Sequence, residues 1–209
     1  MSWSGQRRGY HHGNLREALI AAALVLVAEG GPAAFTIAEA ARRAGVSPAA
    51  PYRHFRDAEA LLAEVAIRGF EHLADRLSRA WSQGRPTPMR GLEAIGRAYL
   101  DFARSEPAFY AAMFEARLNA ENYPGLLSAS EHAFAVMRDA AEALAMAVPK
   151  AGRPPPLMVA LHLWSLAHGV AALFGRHDGG RRKLPMSPED LLEAGILVYL
   201  QGLGLAGGR

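Results

Sequence analysis

Apolar residues recur every three or four positions along nearly the whole chain, and no stretch alternates with the two-residue period of a strand. This pattern predicts an all-α protein. A first helix is expected over 14–29, where Leu15, Ala18, Leu19, Ala22, Ala23, Leu26 and Val27 form a stripe. Its other faces are also apolar, so it should be covered on several sides. Gly30-Gly31-Pro32 ends it. Thr36, with Glu39 three residues on, matches a reciprocal capping box that opens a short second helix ending at Ala44-Gly45. Ser47 is expected to cap a third helix, with Pro48 in its first turn and Pro51 early enough to be tolerated. Asp57 caps a fourth, which continues through Leu61, Leu62, Val65, Phe70, Leu73 and Leu77 to about Trp81. At about 1.5 Å per residue that helix is roughly 36 Å long, enough to join two bodies.

The pattern resumes after GRPTP (84–88), a break, and runs from Leu92 to Ala103. Ser105-Glu106-Pro107 restarts it toward Phe114, and a further helix is expected over 124–147. VPKAGRPPP (148–156) is too proline-rich for a helix and reads as a linker. Helices over 157–175 and 188–203 complete the chain, the last capped by Ser187 with Pro188 at its first turn. These two are more apolar than peripheral helices need to be. They are either buried within one chain or packed against the same pair from a second copy. The basic loop between them, GRHDGGRRKLPM, reads as a solvated connection.

One stretch resists a core or loop reading. VSPAAPYRHF (46–55) crowds two prolines, Tyr52, Arg53, His54 and Phe55 into ten positions. As the second member of a helix-turn-helix, it makes sense. Small residues (Ser47, Pro48, Ala49, Ala50) let backbone approach DNA; Tyr52 and His54 can donate to phosphates, and Arg53 reaches guanine O6 and N7. Val46 and Phe55 should anchor the segment to the headpiece. Charge placement agrees: residues 1–58 hold seven arginines against four acids, whereas the rest of the chain is balanced.

FTIAEAARRAGVSPAAPYRHFRDAEALLAEV (35–65) resembles the DNA-binding signature of the tetracycline-repressor (TetR) family, and so does RRGYHHGNLREALIAAALVLVAEGG before it. The resemblance implies an N-terminal three-helix helix-turn-helix domain (1–58, with a basic arm) and a C-terminal helical regulatory and dimerisation domain (59–209). The candidate DNA-facing residues are Arg7, Arg8, Thr36, Ser47, Pro48, Ala49, Tyr52, Arg53, His54 and Arg56. Trp164-x-x-x-His168-Gly169 resembles the subgroup whose C-terminal domain is named after a Trp and a His-Gly pair. The family implies a palindromic double-stranded DNA operator, a homodimer through the last two helices, and release by a small molecule of unspecified identity. One departure stands out: Ala58 occupies a position where the family has Lys or Arg, and Arg56 is the candidate substitute.

For a ligand pocket the candidates are Phe102, Phe109, Met113, Phe134, Met137, Trp164 and His168, a set that ordinary core packing would also use. GLGLAG (202–207) matches a dinucleotide fingerprint but has no preceding strand and no following helix, so it reads as a frayed tail. His162 and His168 are six residues apart on one helix, which suits no metal, and the chain has no cysteine. No catalytic constellation, cofactor motif or metal set is expected. Nor is a signal peptide, and apolar runs are expected to fall short of the roughly 20 residues that cross a membrane. The expected location is the cytoplasm. Two other readings stay open: a ligand-independent architectural DNA binder, and an enzyme with an incidental headpiece.

Overall fold

The computed structural model describes residues 15–83, 85, 87–146, 149, 152–174 and 185–205. Among these it is all-helical, with no strand: α1 (Leu15–Gly30), α2 (Ile37–Arg43), α3 (Ala58–Gln83), α4 (Pro88–Ser105), α5 (Pro107–Phe114), α6 (Pro124–Met146), α7 (Pro156–Phe174) and α8 (Pro188–Gly202). Local signals set most ends. Asp57 Oδ1 accepts from the Ala60 amide at 2.7 Å, and Thr87 and Ser187 accept at 3.3 and 3.0 Å from the amides of Arg90 and Asp190.

The long α3 is the hub. It packs against α1 on the headpiece side and against α4, α5 and α6 in the C-terminal half, so a single cluster of buried apolar side chains runs through both halves. At the α3–α5 crossing, Gly69 admits close contact, since a Cβ there would stand 2.6 Å from Met113 Sδ. The last layer is α7, packed on α4, α6 and α8.

Four expectations need correcting. The third helix of the headpiece is not an α-helix. Residues 47–50 form a turn and only Pro51–Arg53 is helical, as one turn of 3₁₀. Pro51 lacks the amide that would bond the Ser47 carbonyl, so the opening i→i−4 bond of an α-helix is missing, although at the far end the Phe55 amide does bond the Pro51 carbonyl. The capping box at α2 is half a box: Thr36 Oγ1 accepts from the Glu39 amide at 3.2 Å, but the Glu39 carboxylate turns to Arg42 instead. The 202–205 segment is no frayed tail. Gly204 has φ +70°, its amide bonds the Gln201 carbonyl, and that of Leu205 bonds the Leu200 carbonyl, which is a Schellman cap. Finally, α7 is 19 residues long with mean hydropathy 1.7, enough by length and composition alone to cross a membrane. Packing on three other helices accounts for its apolar inner face, including Val159, Leu163 and Val170.

Candidate nucleic-acid interface and ligand cavity

The turn between α2 and the segment 47–55 is itself a Schellman motif. Gly45 has φ +72°, its amide bonds the Arg42 carbonyl at 3.1 Å, and the Val46 amide bonds the Ala41 carbonyl at 3.0 Å. Val46 then tucks against the core, and Phe55 closes the far end at 5% exposure. Between these anchors the chain is held by successive tight bonds: Ala50 N–H to Ser47 O, Arg53 N–H to Ala50 O, and His54 and Phe55 N–H to Pro51 O. Ser47, Pro48, Ala49, Tyr52, Arg53 and His54 are all exposed on this segment, and Tyr52 reaches 57%. Thr36 is exposed too, its hydroxyl oxygen occupied as the α2 cap. Arg7 and Arg8 lie outside the described residues.

Ion pairing sorts the headpiece arginines. Arg16 pairs with Glu64 at 2.7 Å, Arg42 with Glu39, and Arg43 with Glu29 at 2.8 Å. Arg56 pairs with Asp57 at 3.0 Å and lies over the Tyr123 ring, 5.0 Å from its centroid. Tyr123 and Asp57 hold its pKa above the ordinary arginine value. Arg53 is the headpiece arginine with no acidic partner among the described residues. Behind the segment, Arg68 grips Glu17 through both carboxylate oxygens at 2.6 Å and also Glu64 at 3.3 Å, locking α1 to α3. Hydrogen bonding to Arg68 lowers the Glu17 pKa.

In the C-terminal half a cavity of about 270 Å³ of empty volume, counting its open part, is lined by residues from α3, α4, α6 and α7. Three of the candidates line it: Phe134, Met137 and Trp164. The other four do not. Phe102 is fully buried core, Phe109 meets His72 edge-on, and Met113 fills the crossing over Gly69. His168 sits behind the wall, its Nδ1 facing the Tyr99 hydroxyl at 2.9 Å and the Tyr110 hydroxyl at 3.1 Å. Burial lowers its pKa, so the ring stays neutral. The lining residues missed in the sequence are Phe70, Leu73, Leu77, Tyr99, Ser130 and Ala133. They follow the same helical period as any core residue, so spacing alone could not single them out. His162 lies elsewhere, bonded to the Tyr199 hydroxyl at 2.8 Å on the outer side of α7 and α8.

That outer side is apolar and uncovered by the described residues: Leu157, Leu161 and Leu173 on α7 and Leu197 and Val198 on α8 are all more than two-fifths exposed.

Residues 19–65 match the family model described as bacterial regulatory proteins, tetR family, and residues 92–199 match the tetracyclin repressor-like C-terminal domain. A curated relative, the uncharacterized HTH-type transcriptional regulator YobS of Bacillus subtilis (strain 168), is 25% identical over 100 residues, 48% of this chain and 51% of that one. The match therefore spans about half the length of that relative. Among solved structures, a protein of unknown function from Rhodococcus sp. RHA1 is 28% identical with TM-score 0.77, covering 94% of this chain and 98% of that one. The TetR family transcriptional regulator PfmR from Thermus thermophilus shares the fold at 20% identity and TM-score 0.66, covering 91% of this chain and 99% of that one. The C-terminal model alone spans more than half of the sequence, and the chain belongs to the tetracycline-repressor family of bacterial transcriptional regulators.

Proposed function

We propose that the protein is a cytoplasmic repressor that binds a palindromic operator as a homodimer and leaves it when a small molecule enters the cavity. The observation that carries the DNA reading is Arg53. It is exposed and unpaired among the described residues, flanked by exposed Tyr52 and His54, while the described arginines around it are tied to acids. A free guanidinium on a short turn is available to a base edge; a neutralised one is not. The uncovered α7–α8 face supports a two-fold contact that sets two reading segments about 34 Å apart, or a multiple of it. The route from cavity to DNA runs through α6. It lines the cavity with Ser130, Ala133, Phe134 and Met137, and Tyr123 just before it touches Arg56 and Glu59 of the headpiece edge.

The test is selection of bound genomic fragments, followed by a screen for metabolites or drugs that release them. Selective enrichment of a palindrome and its release by one compound class is the expected result. Enrichment without release by any compound would leave a DNA binder of the architectural kind.

A further inference from the structure

We infer that Arg16 is a positioning residue for DNA recognition: from the first turn of α1 it holds Phe55, and through Phe55 the angle at which the 47–55 segment meets DNA, without touching DNA itself. The inference rests on the reading that this segment faces base edges, and adds what aims it.

Arg16 is the second residue of α1, where a cation opposes the helix macrodipole. Its partners account for a cation at that place. The guanidinium lies over the Phe55 ring, 5.6 Å from the centroid, within the range of a cation–π contact. It also holds Glu64 of α3 at 2.7 Å and stands 3.9 Å from Glu17. Arg68 meets the same two carboxylates, at 2.6 Å from Glu17 and 3.3 Å from Glu64. Two arginines and two glutamates thus close a ring of alternating sign that joins α1 to α3. An isolated surface pair adds little, but in such a network each side chain is already held by its neighbours. Arg16 is the corner of the ring that touches the 47–55 segment.

That segment has few other holds. Val46 is fixed at one end by the turn at Gly45, Pro51 is buried midway, and Phe55 is buried at the other end. The amides of His54 and Phe55 both bond the Pro51 carbonyl at 2.9 Å, so a shift of Phe55 moves the turn that carries Arg53. Helix α1 also packs directly on the Pro51–Arg53 turn. With Glu64 and Glu17 beside it, the Arg16 charge is balanced inside the headpiece rather than by a phosphate.

The test uses the full chain carrying Arg16→Met, which keeps an unbranched stem and removes the charge and the plane. Anisotropy titrations against the selected operator and random DNA, repeated across salt, give the first readout. Operator affinity should fall about three- to tenfold, the scale of coupling between side chains in contact, with random DNA within about twofold and the salt slope unchanged. Without DNA, the Arg53, His54 and Phe55 amides should exchange several-fold faster while the Val46 amide exchanges as before. In a Phe55→Leu background, Arg16→Met should cost nothing further on the operator. Should Phe55→Leu not fold, the ratio and the exchange pattern of the single variant decide. Equal losses on both DNAs with a slope shallower by about 0.9 would make Arg16 a phosphate contact and overturn the inference. So would a lower urea midpoint with the operator-to-random ratio and the amide exchange both unmoved, the mark of a stabilising role alone. The base-edge reading fails separately, when Arg53→Ala loses equally on both DNAs. An Arg53→Ala that behaves as a base contact, beside an Arg16→Met that leaves the ratio unmoved, defeats this inference alone.

Discussion

Tyr123 holds the entry to α3 at two points: its ring lies under the Arg56 guanidinium, two residues before the helix, at 5.0 Å, and its hydroxyl donates to Glu59 Oε2 in the first turn at 3.3 Å. One residue on, Pro124 begins the helix that lines the cavity. Tyr123→Ala should therefore free the headpiece edge. Amide exchange over 47–60 should speed up several-fold, while α8 exchanges as before. Tyr123→Phe keeps the ring under the cation and should fall between. Unchanged exchange in the alanine variant would mean that this contact does not restrain the headpiece.

Arg53→Ala should cost roughly 1–3 kcal/mol on the selected operator and much less on random DNA. Competition between the two, read by fluorescence anisotropy, gives the difference directly. An equal loss on both would make Arg53 a phosphate contact.

Ala58 stands at the first position of α3, next to an Arg56 already occupied by Asp57 and Tyr123. Ala58→Lys should strengthen specific and random DNA binding alike and steepen the log–log salt slope by about 0.9, one phosphate's worth. A cation at a helix N-terminus offsets a few tenths of a kcal/mol of this. Arg56→Ala should leave the slope unchanged, because the guanidinium is neutralised locally. A shallower slope would return it to the DNA surface.

Leu197 is 47% exposed on the outer face of α8, so a charge there is tolerated by the isolated chain. Leu197→Glu should yield folded monomers in size-exclusion chromatography with light scattering, and operator affinity should collapse with the dimer. A folded dimer would place the two-fold contact elsewhere.

Alkali should unfold the protein in a window set by two tyrosines. Burial pushes the Tyr110 hydroxyl up to about 12, and burial with Tyr110 as neighbour pushes Tyr99 up further. In the unfolded chain both ionise near pH 10. Above that pH the folded state holds more protons, so stability falls as pH rises through 10 and toward 12. Tyr99→Phe should be less stable at neutral pH, yet lose less stability per pH unit across that window. Urea midpoints measured from about pH 9 to about pH 11.5 give both slopes.

Features written within a few residues were legible in the sequence: the Asp57 and Ser187 caps obey local rules that packing does not override. Gly45 announced the turn for the same reason. Pro51 was equally visible, but its effect depends on how many bonds the segment can spare, and a helix this short can spare none. The long-range pairs were not legible. Tyr99, Tyr110 and His168 stand 58 and 69 residues apart in pairs, and each tyrosine alone resembles ordinary core. Arg56 reads as a free cation until the fold brings Tyr123 beneath it.

The reading segment also bears on how such a protein changes its target. Between Val46 and Phe55, Pro51 is the only side chain taken fully into the interior. Substitutions at the exposed positions around it should therefore each shift stability by no more than about 0.5 kcal/mol. New operator preferences can then accumulate in these few positions while the hydrophobic interior and the cavity stay as they are. Duplicated copies of the gene would be free to diverge in the DNA they recognise long before they diverge in what they sense.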